Sequence, residues 1–121
     1  MKQPTLEHNE KIARLTFASV FPHYIAKIER KGRNIEDLYQ VIEWLTGYNQ
    51  KAVSEAIEKK ISFKEFFENA ILTPNAVLIK GTICGYKVQE IENKLTREVR
   101  YLDLLVDEIA RGKTLEKICR A

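Results

Sequence analysis

Residues 94–112, KLTREVRYLDLLVDEIARG, carry the clearest helical repeat in the chain. Leu95, Val99, Leu102, Val106 and Ile109 recur at intervals of four, three, four and three, which lays one apolar stripe along an α-helix. Asp107 and Arg111 fall at i,i+4 on the outer face, a pair worth about 0.3–0.5 kcal/mol. Gly112 ends the helix and Thr114 opens a short tail helix carrying Leu115 and Ile118.

The same punctuation recurs upstream. Gly32 and Gly47 each close a helically spaced stretch, and each is followed within two residues by a helix-starting asparagine, Asn34 or Asn49. Ser19 is expected to cap a helix starting near Phe21-Pro22, since proline fits a first helical turn. Phe21, Ile25 and Ile28 share its apolar face, and Lys27, Arg30 and Lys31 suit its negative C-terminal pole. Asn34 opens a second helix with Leu38, Val41, Ile42 and Leu45 as its stripe. Asn49 opens a third with Ala52, Val53, Ala56 and Ile57. Ser62-Phe-Lys-Glu65 matches a capping box before a short helix that buries some of Phe63, Phe66 and Phe67. Thr73-Pro74-Asn75 is a break.

Residues 76–91 are ambiguous between a buried helix and a pair of short strands around Gly81 and Gly85. The spacing of Lys80, Lys87 and Lys94 by seven favours the helix, where they share one exposed ridge and Gly81-x-x-x-Gly85 admits a close neighbour. Residues 1–16 are polar and weakly patterned, a frayed N-terminal arm with at most a helical turn. The expected architecture is therefore all-α, a compact single-domain bundle of five to seven helices over residues 17–121, with Leu95–Ile109 central. The alternative is α+β with a short hairpin within 76–91.

At 121 residues, 45% hydrophobic and 31% charged, the chain has the size and composition of one globular domain. A net charge of +3 does not demand a polyanionic partner, although seven basic against three acidic side chains concentrate in residues 1–33. The start MKQPTLEHNE lacks the apolar core of a signal peptide. No apolar run approaches the roughly eighteen residues of a membrane span. Two cysteines, Cys84 and Cys119, are too few for a disulfide scaffold and lack metal-ligand spacing, which points to a reduced, cytoplasmic protein without metal or cofactor.

Candidate chemistry is sparse. The hairpin 34–60 is helix-turn-helix-like, with Gln50, Lys51 and Ser54 positioned to meet DNA and Lys27, Arg30, Lys31 and Arg33 as a basic segment nearby. Yet Glu43 and Thr46 stand where that motif wants a small and an apolar residue, and Glu55 and Glu58 offset the lysines. The basic segment also reads simply as a solvated helix end. His23, beside Tyr24 and placed in a first helical turn, can serve as a base or as a surface residue. Cys84, in the apolar Ile83-Cys-Gly-Tyr stretch, reads better as a buried, inert thiol than as a nucleophile. His8 in the arm carries no signal. Arg97 and Arg100 share a face at i,i+3 and can clamp a carboxylate or phosphate, unless Glu98 and Asp103 neutralise them. Trp44 and the phenylalanines read as core. No phosphate loop, dinucleotide fingerprint, zinc-protease motif, paired C-x-x-C or nucleophile elbow occurs.

Several segments resemble a prokaryotic family of uncharacterised proteins, domain of unknown function 2200. They are Phe17-Ala-Ser-Val-Phe-Pro22-His-Tyr-Ile, Glu29-Arg-Lys-Gly-Arg33, Trp44-Leu-Thr-Gly-Tyr48, Ile83-Cys-Gly85, Arg100-Tyr-Leu-Asp103 and Leu105–Lys113. The resemblance runs from about Phe17 to the C-terminus and implies a bacterial, cytoplasmic, single-domain protein with no catalytic residues to carry over. Members often show Asp-Pro at the position of Asn93-Lys94, which implies that the long helix starts near Asn93. Together these readings favour a binding or interaction module over an enzyme. The expected partner is a protein, a second copy or a small anionic ligand, contacted first by His23, Tyr24, Arg97 and Arg100. Nucleic-acid binding, and an enzyme using His23 or Cys84, remain the alternatives.

Overall fold

A computed structural model describes residues 2–121, and these residues form seven α-helices with one small hairpin. The helices are α1 (Leu6–Arg14), α2 (Phe17–Arg30), α3 (Ile35–Thr46), α4 (Gln50–Glu58), α5 (Phe63–Glu68), α6 (Lys94–Ala110) and α7 (Leu115–Ile118). The strands β1 (Thr82–Ile83) and β2 (Tyr86–Lys87) pair antiparallel, Thr82 opposite Lys87 and Ile83 opposite Tyr86. Short 3₁₀ turns at Pro74–Leu78 and Val88–Glu90 flank them.

Every one of these helices starts on a side-chain cap: Thr5, Thr16, Asn34, Asn49, Ser62, Asn93 and Thr114 each accept a hydrogen bond from a backbone N–H of the first turn. Such a cap is worth about 1 kcal/mol, so the element boundaries are written locally. Asn93 caps α6, as the family resemblance implied. Two of the caps are joined. Thr16 and Ser62 face each other in a single antiparallel bridge, through Phe17 N–H to the Ile61 carbonyl (2.9 Å) and Phe63 N–H to the Leu15 carbonyl (2.8 Å).

The core is built around α6, which packs against α1, α2, α3, α5 and α7. Val99, Leu102, Val106 and Ile109 of the predicted stripe are buried and Leu95 at its start is partly buried; Tyr101, Leu104, Leu105 and Ala110 are buried beside it, so neighbours cover most of the helix's circumference. Leu38, Val41, Ile42 and Leu45 of α3 are fully buried, as their spacing requires. An aromatic cluster fills the other side: Phe17 stacks on Phe66 at 4.3 Å between centroids, and Phe21, Phe63 and Phe67 close around them. Trp44 is only partly buried against this core.

Three expectations change. First, α2 begins at Phe17, capped by Thr16, and Pro22 lies inside it. Burial of Phe17 against Phe66 and the bridge to Ile61 hold the upstream turn in place despite the backbone hydrogen bond that Pro22 cannot donate. Second, residues 76–91 are not a helix. Cys84 (φ 52°) and Gly85 (φ 83°) both take positive φ, the requirement of the tight two-residue turn that joins twisted strands. Ala76, Ile79, Val88 and Ile91 are buried one at a time from this irregular segment. Gly81 still permits close approach, but to α6: a β-carbon there would meet Leu104 Cδ2 at 3.0 Å. The lysine ridge does not form, because Lys80 lies before the hairpin, Lys87 in β2 and Lys94 at the start of α6.

Third, the N-terminal segment is not a frayed arm. Ile12 is buried, and Asn9 Oδ1 accepts a hydrogen bond from Thr96 Oγ1 at 2.6 Å. The Gln3 amide reaches the loop before α6 in both directions, donating to the Glu90 carbonyl (2.7 Å) and accepting from Glu92 N–H (2.8 Å). These partners are remote in sequence, which is why no local pattern announced the helix. Among the described residues, no helix is long and apolar enough to cross a membrane.

Candidate functional site

The hairpin, α1 and α6 bring polar side chains together at one place, and Arg100 is its hub. Arg100 Nη1 donates to Asp103 Oδ2 at 2.8 Å and to the Cys84 sulfur at 3.6 Å, and Nη2 lies 3.2 Å from His8 Nε2. The other Asp103 oxygen accepts from the Tyr24 hydroxyl at 2.7 Å. Tyr24 is buried. That burial, with the negative charge and hydrogen bond of Asp103, raises its phenol well above the usual tyrosine value, so it stays a neutral donor; Arg100 opposes this only in part. His8 stacks against Tyr86 of β2, and Lys2 Nζ lies over the Tyr86 ring, 4.9 Å from its centroid.

Arg100 and Asp103 open onto a cavity of about 320 Å³, with His8 and Lys11 among its lining and Ile12, Leu15, Val20, Phe63 and Val99 as apolar wall. One donor is left over: Arg100 Nε is buried without a hydrogen-bond partner among the described residues. A buried unpaired N–H costs about 1–3 kcal/mol.

The other candidates are distributed differently. Arg97 does not join Arg100; its Nη1 donates to the Ile91 and Glu92 carbonyls at 2.9 and 3.4 Å and secures the turn before α6. His23 is exposed in the interior of α2, not in a first turn, because the helix starts upstream of the proline. Cys84 is exposed at the hairpin turn rather than buried, because the segment is a turn and not a core helix.

In the basic segment, Lys27 Nζ is paired with Asp107 at 3.0 Å, and Asp107 also takes Arg111 Nε at 2.9 Å. The Arg33 guanidinium lies on the end of α6, where a β-carbon at Gly112 would come within 2.5 Å of Nη2. Arg30 and Lys31 are exposed. Gln50, Lys51 and Ser54 are exposed on α4 in company with Glu55 and Glu58.

The sequence reading dismissed His8 and missed Lys11, both of which line this cavity. Both stand on α1, whose position depends on the distant contacts of Gln3 and Asn9. The signal that was available is the Thr5 cap followed by Leu6, Ile12 and Ala13, too thin an apolar face to stand alone.

A family model described as an uncharacterized protein conserved in bacteria (DUF2200) matches residues 11–120. The chain is also similar to a solved structure, the crystal structure of uncharacterized protein SP1917, with 39% sequence identity over 90% of each chain and a TM-score of 0.84. No curated protein matches.

Proposed function

The chain belongs to DUF2200, a family whose description assigns no activity, and from that premise we propose that it is a binding domain for a small carboxylate with an apolar body. The observation that carries this reading is the unpartnered Arg100 Nε beside a cavity whose wall is otherwise apolar. A ligand oxygen would take the free donor of Arg100, with Lys11 and His8 adding positive charge and hydrogen bonding. Tyr24 and Asp103 would hold the guanidinium in register from behind. Few convergent polar groups in an apolar cavity of this size are the usual makings of a small-molecule site. The reading places the domain in a reducing cytoplasm, supported by two cysteines that are both free.

The test is a titration of isotope-labelled protein with phenylacetate, hexanoate and inorganic phosphate, followed by amide chemical shifts. Saturable shifts at His8, Lys11 and Arg100 with the two carboxylates, lost in Arg100→Gln while the rest of the spectrum is kept, support it. Phosphate binding instead of carboxylate binding changes the ligand class. No saturation by any of the three overturns the reading.

A further inference from the structure

Helix α6 carries two buried glutamates ten positions apart, and they are compensated very unequally. Glu108, with a side chain 2% exposed, is sealed by Arg120 through both carboxylate oxygens (2.8 and 2.7 Å) and by Lys113 at 3.3 Å. Glu98, with a side chain 6% exposed, has one ionic partner among the described residues, Lys94 Nζ at 3.1 Å, and the Lys94 side chain is itself 77% exposed. The carboxylate has given up most of its water for a cation that has kept nearly all of its own. Burial of a charge demands a committed partner, and a single solvated lysine is a weak one.

Glu98 is also not sealed off. It lines a groove of about 400 Å³ between α1, α5 and the start of α6, where Leu6, Ala13, Phe67 and Leu95 supply the apolar surface. Leu6 is 73% exposed, an apolar residue held out towards solvent at this groove. The charged lining is mixed, with Glu10 and Glu68 joining Glu98 against Lys64 and Lys94, so carboxylates hold the majority.

We propose that this groove binds a small organic cation, a primary ammonium or a guanidinium carrying an apolar body, with the cation replacing Lys94 on Glu98. The apolar body would cover Phe67, Leu95 and Leu6, and Lys94 would swing into water at little cost. Lys94 is thus a displaceable placeholder. This site is separate from the Arg100 cavity, takes the opposite charge, and does not depend on the carboxylate reading.

The experiment compares hexylamine and butylguanidine with hexanol, an uncharged control of similar body, by amide shifts and calorimetry on the full chain. Saturable binding of both cations is expected, with shifts at Leu6, Phe67, Leu95 and Glu98 and none of comparable size at His8 or Lys11. Glu98→Gln should weaken the cations by about tenfold or more, the scale of a charged hydrogen bond, and leave hexanol unchanged. Lys94→Ala, at an exposed position that does not endanger the fold, should tighten them about threefold by removing the competitor. A merely structural ion pair predicts no gain in binding for Lys94→Ala. Equal affinity for hexanol, unchanged or weaker cation binding in Lys94→Ala, or no saturation by either cation overturns the proposal.

Discussion

Arg120 grips Glu108 with both arms of its guanidinium, Nη1 to one carboxylate oxygen at 2.8 Å and Nη2 to the other at 2.7 Å, and so fastens the C-terminal turn to the middle of the fold. Because Glu108 is almost wholly buried, Arg120→Ala strands a charge inside the protein. We expect a loss of about 3–5 kcal/mol in urea unfolding. Pairing it with Glu108→Leu should restore most of that loss, since no charge is then left uncompensated. A single variant within 1 kcal/mol of the parent (about the worth of an exposed pair) would show that Lys113 alone satisfies Glu108.

Leu102 is fully buried at the centre of α6. Leu102→Ala should cost about 2–5 kcal/mol through lost transfer energy and the cavity left behind. Denaturant midpoints at unchanged slope would read it; a change below about 0.5 kcal/mol is what a surface position shows.

Tyr24 carries a pH dependence whose sign is fixed by its environment. Its phenol is raised well above the ordinary value in the folded state, chiefly by burial, then by Asp103. The unfolded chain therefore loses this proton near pH 10 while the folded chain keeps it. The contribution of Tyr24 is complete below that point and falls away as pH rises through the folded value. Tyr24→Phe should flatten the alkaline side of the stability curve. Near neutrality it should cost about 1 kcal/mol for the bond to Asp103. An unchanged alkaline slope would mean that another group titrates there.

The two cysteines should differ in reactivity. Cys84 is exposed on the hairpin turn, whereas burial raises the Cys119 thiol above its usual value. Thiolate is the reacting species, so iodoacetamide near neutral pH should label Cys84 first in the native protein and both residues in denaturant. Peptide mass spectrometry resolves the two. Protection of Cys84 in the native state would contradict the hairpin.

What was readable in advance follows the range of the interactions. Asn34, Asn49, Ser62 and Thr114 act within one turn of themselves, and the spacing of Leu38 to Leu45 or Val99 to Ile109 is a property of a single helix; these were legible. Thr16 was missed in favour of Ser19 because Pro22 argues locally for a later start, while Phe17 argues for an earlier one only once Phe66 and Ile61 are beside it. At 76–91, the period of the lysines imitated a helix, whereas Gly85 and the positive φ of Cys84 belong to a turn that short apolar runs disguise. The candidate site was half visible. Arg100, Asp103 and Tyr24 lie on well-marked helices, and the neutralisation of Arg100 by Asp103 followed from their spacing. His8 and Lys11 ride on α1, which distant residues hold in place.

The attachment of α1 has a consequence for the order in which the protein is made. Gln3 and its partner Glu90 lie 87 positions apart, so at roughly 5–20 residues per second of synthesis this tie waits about 4–17 s for its second half. Over that interval α2 to α5 are made, and in residues 5–16 the apolar side chains are Leu6, Ile12, Ala13 and Leu15 alone. Since exposed apolar surface is what makes a partly folded chain stick, so thin an apolar face gives this nascent segment little with which to bind out of turn.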